Sequence, residues 1–395
     1  MSDRTYDVAV IGAGVFGAWI AYQLRSSGKS VILIDAYGPA NSRASSGDES
    51  RIIRMGYGAD EIYTRSAMRS LELWQEFAAE VNEPLFRQTG VLWLAHEDDP
   101  YAIATAETLE KLPVPFEKLA IGEVARRYPQ FNLDGIAWGM IEPNSGVLMA
   151  RRAVNALVRR AIDDGVEYLQ EAVTGTGIPP VNHAQDARAT KQVDHIVTEN
   201  GRRISAGEFV FACGPWLPKI FPDVLRGRIN PSRQEVFYFG AAPGDKRFAP
   251  PLMPAWIDFK EEVYGLPDLD GSGIKIAIDR HGPTFDPDED DRVATKAGLE
   301  EVRNRLAARL PDLHEAPLLE ARVCQYENTA NGDFLIDRHP EFRNVWLAGG
   351  GSGHGFKHGP AVGEYVAARI DGKLDEIEPR FSLLAKQLGQ QRSVY

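Results

Sequence analysis

Two patterns of hydrophobic residues alternate at the start of the chain. Apolar residues run without interruption over residues 8–11 and 31–34, as in strands that are buried on both faces. Between these runs the apolar positions Ala18, Ala21 and Leu24 recur every three residues, which is typical of one face of a helix. The pattern predicts a strand, a helix and a second, parallel strand.

Glycines and one acid mark the turns of this unit. Gly12, Gly14 and Gly17 follow the first strand, and Asp35 follows the second, about twenty residues further on. In a dinucleotide-binding unit the first glycine allows a tight turn, the second lets the backbone approach a diphosphate, and the third lets helix and strand pack closely. The helix N-terminus stabilises the phosphates, and the acid binds the ribose hydroxyls. The unit predicts a dinucleotide site, but NAD and FAD both contain the ADP half that such a unit binds.

The middle of the chain contains strand-like runs and amphipathic helices. Between residues 229 and 278 short apolar runs alternate with Pro and Gly, which favours an antiparallel sheet over further strand–helix–strand units. A hairpin is predicted over residues 193–204, followed by a buried strand that ends at Gly214. Residues 175–192 are predicted to form a surface loop. Helices are predicted over residues 60–81 with Asp60 as N-cap, 102–111, 122–127, 150–164 and 295–310.

The last third of the chain returns to glycine-rich sequence. A strand predicted over residues 344–348 leads into the loop Gly349–Pro360 and a helix to about residue 370. Several backbone N–H groups then lie together at a helix N-terminus, and such an arrangement stabilises negative charge.

Composition excludes several classes of function. The chain has 395 residues and a formal net charge of -12, which argues against nucleic acid and anionic membranes as partners. No apolar run is long enough to span a membrane, and the start shows no signal-peptide core, so we expect a cytoplasmic protein. The two cysteines, Cys213 and Cys324, are far apart, so neither a disulfide framework nor a metal site is expected. Each thiol, taken alone, is most simply a buried core residue.

Five segments, in the order in which they occur, resemble the monomeric sarcosine oxidase family of flavin-dependent amine oxidases. They are GAGVFG, SRIIR at Ser50–Arg54, FACGPW, the CxYxNTxxxxFxIDxHP pattern that begins at Cys324, and GGGSGHGFK. The resemblance implies a D-amino-acid-oxidase-like α/β fold, with a Rossmann-like FAD-binding domain interleaved with an α+β substrate domain that has a mostly antiparallel sheet. The FAD-binding domain is expected over residues 1–85, 145–227 and 318–380, and the substrate domain over residues 86–144 and 228–317.

The resemblance also implies roles for particular residues. Cys324 matches the cysteine that links covalently to the flavin, and Lys275 matches the lysine credited with activating oxygen. Arg54 and Lys357 match the pair that holds a substrate carboxylate, although from sequence alone Arg51 and Arg54 could equally be solvated. Tyr264 matches an active-site tyrosine that also contacts substrate, and Arg51 an arginine near the flavin ring. The expected FAD-binding residues are Gly12, Gly14, Gly17, Asp35, Ser45, Arg51, Cys213, Gly214, Trp216, Cys324, Tyr326, Gly351, Gly353, His354, Gly355 and Lys357.

One position departs from the family pattern. Asp279 stands four residues after Lys275, where sarcosine-specific members have a histidine, and positions 275 and 279 face the same side of a strand. Asp279 is therefore expected in the active site, although it could be the first residue of a turn or could pair with Lys275. An acid here resembles the carboxylate of fructosyl-amine oxidases and suits a substrate with hydroxyls or a second cation.

The resemblance implies oxidation of a secondary amine, such as an N-alkyl amino acid. The expected reaction is hydride transfer to FAD, hydrolysis of the imine, and reoxidation by O2 with release of hydrogen peroxide. A fructosyl or cyclic, pipecolate-like amino acid is an alternative substrate. A dehydrogenase with another electron acceptor, or a flavin-binding subunit, is an alternative of a different class. The partners expected are the small amine and O2, and the protein is expected to be a monomer.

Overall fold

The computed structural model describes residues 5–175 and 191–387, so most of the predicted loop at 175–192 lies outside the described residues. Its strands are, in chain order, β1 (Thr5–Ile11), β2 (Val31–Ile34), β3 (Arg51–Ile53), β4 (Phe86–Arg87), β5 (Val91–His96), β6 (Glu117–Ala120), β7 (Ile136–Glu142), β8 (Gly146–Leu148), β9 (Glu167–Leu169), β10 (Val173–Gly175), β11 (His195–Thr198), β12 (Arg203–Phe211), β13 (Ile229–Phe239), β14 (Ala255–Asp258), β15 (Val263–Leu266), β16 (Ile274–Ile278), β17 (Leu318–Thr329), β18 (Leu335–Arg338) and β19 (Val345–Gly349).

The predicted helices are present to within a few residues. The α-helices are α1 (Val15–Ser26), α2 (Glu61–Val81), α3 (Pro100–Lys111), α4 (Ile121–Arg127), α5 (Ala150–Asp163), α6 (Leu217–Ile220), α7 (Pro222–Leu225), α8 (Lys296–Arg309) and α9 (Gly359–Ile370). Two short helices, α6 and α7, were not predicted. Asp60 precedes α2 as predicted, but its side chain makes no capping hydrogen bond and accepts instead from Arg380 at 2.8 Å. No helix in the described part of the chain is long and apolar enough to cross a membrane.

The first sheet carries the dinucleotide-binding unit. Its strand order is β10-β11-β12-β1-β2-β9, with β19 beside β12 and β18 beside β19. Strands β9, β2, β1, β12 and β19 run parallel, so their carboxyl ends meet at one edge of the sheet. Ligands of open α/β sheets bind at such an edge. Helix α1 packs against α5 and α9, and the rings of Trp19 and Trp74 connect it to α2 with centroids 5.1 Å apart.

The second arm of the predicted hairpin and the buried strand predicted after it form one continuous strand, β12. The first residues of β12 pair with β11 in an antiparallel hairpin, as at Ser205 and His195, and its last three pair with β19 in parallel. Strand β1 lies along the other side of β12 from Ser205 to Phe211. The sequence predicts two segments because the first half of β12 is partly exposed and only the second half is fully buried.

The second sheet confirms the antiparallel architecture predicted for the middle of the chain. Its order is β17-β13-β16-β15-β14-β5-β7-β6, and every neighbouring pair is antiparallel except β14 with β5. The longest pairing joins β13 to β17 and begins at Ile229 and Thr329. The division into two domains stays a prediction; β17 lies in the second sheet although the expected boundary at residue 318 assigns it to the first domain.

Candidate active site

A long cavity follows the edge of the first sheet where the carboxyl ends of β1, β12 and β19 meet. Its wall includes the expected residues Gly12, Gly14, Asp35, Ser45, Arg51, Cys213, Gly214, Trp216, Tyr326, Gly351, Gly353 and Gly355. The cavity therefore brings together most of the residues expected to bind a cofactor, from parts of the chain more than three hundred positions apart.

The glycine turn after β1 has the geometry that a dinucleotide requires. Gly12 has φ +105°, and a Cβ there would lie 2.4 Å from the carbonyl oxygen of Ala212, so only glycine fits between β1 and β12. A Cβ at Gly17 would lie 1.8 Å from the Gly12 oxygen, which excludes any side chain where α1 meets the turn. Gly14 faces the cavity, where a Cβ would meet only the hydroxyl of Ser46 at 3.4 Å. Gly17 itself does not line the cavity; its role is packing.

Asp35 holds the loop around this turn. Its Oδ2 accepts from the backbone N–H of Ala13 at 2.7 Å, and its Oδ1 accepts from the N–H groups of Tyr37 and Gly38 at 2.8 Å. Burial raises the pKa of Asp35, and these three backbone donors oppose the rise. The carboxylate lies on the cavity wall, and its binding of a ribose stays a prediction.

The two cysteines have different surroundings. The thiol of Cys213 donates to the carbonyl of Ile11 at 3.3 Å, and burial raises its pKa well above the usual value, so this cysteine is not a nucleophile at neutral pH. The sulfur of Cys324 lies 3.6 Å from Nη2 of Arg51. A permanent positive charge beside the sulfur is the setting in which cysteines react as nucleophiles.

A second cavity adjoins the first and contains the expected substrate-binding residues. The expected residues on its wall are Arg51, Arg54, Tyr264, Asp279, Cys324, Tyr326, Gly353, His354 and Lys357. Arg51, Tyr326, Gly353 and Phe356 line both cavities, so the two meet there. A cofactor that starts at Gly12 can reach the residues of the second cavity.

Arg54 lies in an aromatic cage in the second cavity. Its guanidinium carbon is 4.6 Å from the ring centroid of Tyr57, 5.2 Å from that of Trp93 and 5.0 Å from that of Phe259. Such faces stabilise a buried cation. Arg54 also donates to the carbonyl of Gly56 and is only 6% exposed. The structure therefore excludes the solvated alternative for Arg54.

Lys357 shares this cavity with Arg54. Its Nζ donates to the hydroxyl of Tyr57 at 2.9 Å and to the carbonyl of His354 at 3.1 Å. Burial, together with the nearby charge of Arg54, holds the pKa of Lys357 well below its usual value. The described residues place no carboxylate within 4.0 Å of this ammonium nitrogen. Two buried cations beside one cavity favour the binding of an anion between them.

Asp48, which the sequence did not indicate, is a buried carboxylate that contacts two of the expected site residues, Lys275 and Arg51. It is 4% exposed, and it pairs with Lys275, accepts from Arg51 at 2.7 Å and accepts from the hydroxyl of Tyr238 at 2.8 Å. Burial alone raises the pKa of Asp48, but the charges of Lys275 and Arg51 outweigh this effect and hold it well below the usual value. Nothing in the sequence distinguishes Asp48 from its neighbour Glu49, because two of its partners, Lys275 and Tyr238, come from distant strands.

Lys275 lies behind the cavities. It is 1% exposed, and its Nζ donates to the carbonyl of Ser50 at 2.9 Å as well as to Asp48. Burial lowers the pKa of Lys275, and Asp48 opposes that change. The lysine is not on the wall of either cavity, although the expected role in oxygen activation requires access to the flavin. Its carboxylate partner in the structure is Asp48, where the sequence analysis considered Asp279.

Asp279 follows the last residue of β16 and faces the second cavity. Its Oδ1 accepts from the hydroxyl of Tyr326 at 2.9 Å. It thus fits both descriptions given by the sequence: it is the first residue after the strand, and its side chain reaches the active site. Tyr264 lines the same cavity, and burial raises the pKa of its hydroxyl well above the usual value.

The loop after β19 closes the junction of the two cavities. The N–H groups of His354 and Gly355 donate to the carbonyl of Gly351, so the loop folds back on itself. A short 3₁₀ turn, Phe356–His358, separates it from α9, where the sequence predicts that the helix follows the loop directly. The expectation that N–H groups at this helix start stabilise negative charge stays a prediction. No group of three or more His, Cys, Asp or Glu within residues 5–175 and 191–387 could hold a metal ion.

These features indicate a dinucleotide-dependent oxidoreductase. They are a glycine turn at the carboxyl edge of a parallel sheet, a long cavity that begins there, and a second, adjoining cavity with two buried cations. The residues present fit FAD, since the cavity leads from Gly12 to the junction with the second cavity, whose wall includes Cys324. The chain belongs to the DAO family of FAD dependent oxidoreductases, whose pattern it matches over residues 7–369.

Comparison with known proteins gives the same result at full length. The chain is 31% identical to a monomeric sarcosine oxidase of Streptomyces avermitilis over 92% of this chain and 93% of the relative. It is 29% identical to a monomeric sarcosine oxidase of an Arthrobacter species over 99% of each chain. The crystal structure of L-proline dehydrogenase from P. horikoshii superposes with a TM-score of 0.83 at 24% identity, covering 98% of this chain and 100% of that one. The family resemblance, the fold class and the assignment as an amine-oxidising flavoenzyme are confirmed.

Proposed function

We propose that the protein oxidises secondary amines that carry a carboxylate, with N-alkyl amino acids of the sarcosine type as the first candidates. The observation that carries the proposal is the placement of Arg54 and Lys357 on the wall of one buried cavity, next to the junction with the cofactor cavity. The names of the relatives, monomeric sarcosine oxidases, support the same class of substrate.

The carboxylate binds between Arg54 and Lys357 in this proposal. A guanidinium and an ammonium that point into the same cavity supply several donors to one carboxylate, and hydrogen bonds to charged groups each contribute about 1.5–3 kcal/mol. Because both cations are buried, an anion between them relieves their mutual repulsion as well. The bound amine is then held close to the junction of the two cavities.

The amine is proposed to react in its neutral form. Arg51, Arg54 and Lys357 lie around the cavity and disfavour a further positive charge on the substrate nitrogen. No side chain needs to act as a general base, because the amine need only bind unprotonated. Two acidic residues, Glu235 and Asp279, line this cavity. Glu235 pairs with Arg233 at 3.0 Å, and Asp279 offers the amine a hydrogen-bond acceptor.

FAD would supply the redox chemistry, taking up a hydride equivalent from the carbon next to nitrogen and passing the electrons to O2, with hydrogen peroxide as product. The glycine turn and Asp35 would hold its ADP half, and Cys324 is proposed as the site of covalent attachment. The arginine at position 51 would hold a positive charge next to both the attachment site and the reacting atoms. We further propose that the protein acts as a monomer, as the names of its relatives suggest.

A sugar-linked or cyclic amino acid is the second candidate substrate. The observation that favours it is Asp279, which stands where the family pattern has a histidine. Its carboxylate lines the cavity and accepts hydrogen bonds from hydroxyls, as it does from Tyr326 at 2.9 Å. Sarcosine has no group that would use this acceptor beyond its amine.

A peroxide assay over three substrate sets tests the proposal. The sets are N-methyl amino acids, cyclic amino acids such as pipecolate, and fructosyl amino acids, each compared in wild type and Asp279→Asn. We expect peroxide from at least one set, and a loss of about tenfold in kcat/KM for hydroxyl-bearing substrates in the variant. Flavin reduction without oxygen uptake would assign a dehydrogenase instead, and no reduction by any set would assign a flavin-binding subunit.

A further inference from the structure

Glu327 on β17 is a buried carboxylate with only one of its two oxygens satisfied. The residue is 8% exposed, and its Oε1 accepts from the backbone N–H of Gly351 at 3.2 Å. Its Oε2 is buried and has no hydrogen-bond partner among the described residues. A buried carboxylate oxygen without a donor is unfavourable, so a group that the protein itself does not supply is needed to complete it.

The position of this oxygen indicates what that group is. Oε2 lies 3.1 Å from the point that a Cβ of Gly349 would occupy, and 3.7 Å from the corresponding point at Gly214. It therefore lies between the carboxyl ends of β19 and β12, and Glu327 lines the long cavity. The same cavity is lined by Gly12 of the glycine turn and by Arg51 at the junction with the substrate cavity.

FAD has one segment that matches this location. Its diphosphate belongs at the helix N-terminus after Gly12, and its ring belongs at the junction beside Arg51. The ribityl chain connects the two and carries three hydroxyl groups, which are hydrogen-bond donors. A carboxylate on the wall of this cavity suits the polyol and would repel the diphosphate.

We propose that Oε2 of Glu327 accepts a hydrogen bond from a ribityl hydroxyl of FAD. This hydrogen bond orients the ribityl chain between the diphosphate and the flavin ring. Burial raises the pKa of Glu327 to about 7, although the backbone N–H groups of Gly351 and Gly350 oppose the rise, so the carboxyl is close to losing its charge at neutral pH. A hydroxyl that donates to Oε2 favours the charged form, which is the stronger acceptor.

Gln325 provides an internal contrast on the same strand. It lies two residues before Glu327 and lines the same cavity, but its amide donates to the carbonyl of Arg43 and its Oε1 accepts from Arg292 at 3.3 Å. The protein thus satisfies the polar atoms of Gln325 by itself. Of these two residues, only Glu327 has a side-chain oxygen with no hydrogen-bond partner among the described residues.

The test measures FAD affinity and needs no amine, so its failure is distinguishable from failure of the proposed function. Cys324→Ser makes FAD binding reversible should the link be covalent, and in this background Glu327→Leu and Glu327→Gln are titrated with FAD and with its 2′-, 3′- and 4′-deoxyribityl analogues. We expect Glu327→Leu to weaken FAD binding about ten- to a hundredfold, the range for a hydrogen bond to a charged group. Glu327→Gln keeps an acceptor and loses less.

One analogue decides between a contact and a structural role. For the analogue that lacks the partner hydroxyl, Glu327→Leu should bind as tightly as the Glu327 parent, whereas a structural role would weaken all four ligands equally. Equal weakening, or FAD binding unchanged in Glu327→Leu, would overturn the proposal. If Glu327→Leu does not fold, the same comparison with Glu327→Gln decides, with a smaller loss that again vanishes for one analogue.

Discussion

The guanidinium of Arg51 lies 3.6 Å from the sulfur of Cys324, although the two residues are 273 positions apart in the chain. The same guanidinium donates to Asp48 at 2.7 Å and to the carbonyl of Ser45 at 2.7 Å. Arg51 therefore joins the loop after the dinucleotide-binding unit to β17 of the second sheet.

Covalent attachment of the flavin is expected to depend on Cys324 and not on Cys213. In Cys324→Ser the nucleophilic sulfur beside Arg51 is removed, so the yellow colour should stay in solution after acid precipitation, whereas in wild type it should stay with the pellet. Cys213→Ser is the matched control and should behave as wild type. The thiol of Cys213 donates a hydrogen bond to the carbonyl of Ile11, and its raised pKa disfavours the thiolate. Free flavin in the supernatant of wild type would refute the covalent link.

Replacement of Asp48 is expected to lower both stability and reactivity with oxygen. Asp48→Asn leaves Lys275 and Arg51 without their buried counter-charge, and breaking a buried pair costs about 3–5 kcal/mol. With no carboxylate to oppose burial, Lys275 is expected to lose its charge. Chemical unfolding measures the first effect, and stopped-flow reaction of the reduced enzyme with O2 measures the second, for which we expect at least about a tenfold loss.

Glu49→Gln is the control for this prediction, since Glu49 is half-buried and pairs only with Arg151 and Arg322 in the described residues. It should leave the oxygen rate unchanged. If Lys275 acts through its charge, Asp48→Asn combined with Lys275→Met should be no slower than Lys275→Met alone. An oxygen rate in Asp48→Asn equal to that of wild type would contradict the role assigned to this pair.

Removal of one cation from the substrate cavity is expected to weaken binding of the carboxylate specifically. Arg54→Met should raise KM for sarcosine about ten- to a hundredfold, from the loss of about 1.5–3 kcal/mol. KM for N-methylethylamine, which has no carboxylate, should change little. Arg65→Met, at an exposed arginine of α2, is the control. An equal change in KM for both amines would show that Arg54 does not bind the carboxylate.

Acid is expected to destabilise the fold through His339. Burial lowers the pKa of His339 to about 4, whereas an unfolded histidine has a pKa of about 6.5. Between these values the unfolded chain binds more protons than the folded one, so the free energy of unfolding decreases as the pH falls from about 6.5 to about 4. The loss from this residue between pH 7 and about pH 4.5 should be about 2 kcal/mol.

Urea unfolding of wild type and His339→Asn at these two pH values measures the effect. Asparagine can still accept from the backbone N–H of Glu341, as Nδ1 of His339 does at 3.1 Å. The variant should therefore lose about 2 kcal/mol less than wild type on acidification. His314→Asn, at an exposed histidine, should lose as much as wild type. The same loss in His339→Asn would rule out this origin of acid sensitivity.

The sequence predicted the parts of the fold that local physics determines. The unit from β1 to β2 combines buried strands, a helical period and three glycines with separate steric reasons, so its elements and cofactor class followed from about thirty residues. The antiparallel sheet followed from the spacing of Pro and Gly. The continuous strand β12 was divided into two, because its pairing changes along its length from β11 to β19.

Residues that depend on distant partners were found less well. Arg54, Lys357 and Cys324 were recognised through the family resemblance, and the structure brings them to one cavity. Asp48 was missed because its importance comes from Tyr238 and Lys275, 190 and 227 positions away. Glu327 was missed for the same reason, since only the folded chain shows that one of its oxygens lacks a donor.

The central claim is that the cavity with Arg54 and Lys357 receives a secondary amine with a carboxylate and that this amine reduces the bound flavin. The most direct measurement is anaerobic mixing of the holoenzyme with N-methyl, cyclic and fructosyl amino acids while the visible absorbance of oxidised flavin is followed. We predict that at least one of these compounds bleaches the flavin in wild type. In Arg54→Met the rate of bleaching by that compound should be lower by about tenfold or more. Absorbance that stays unchanged with every N-alkyl amino acid would contradict the claim.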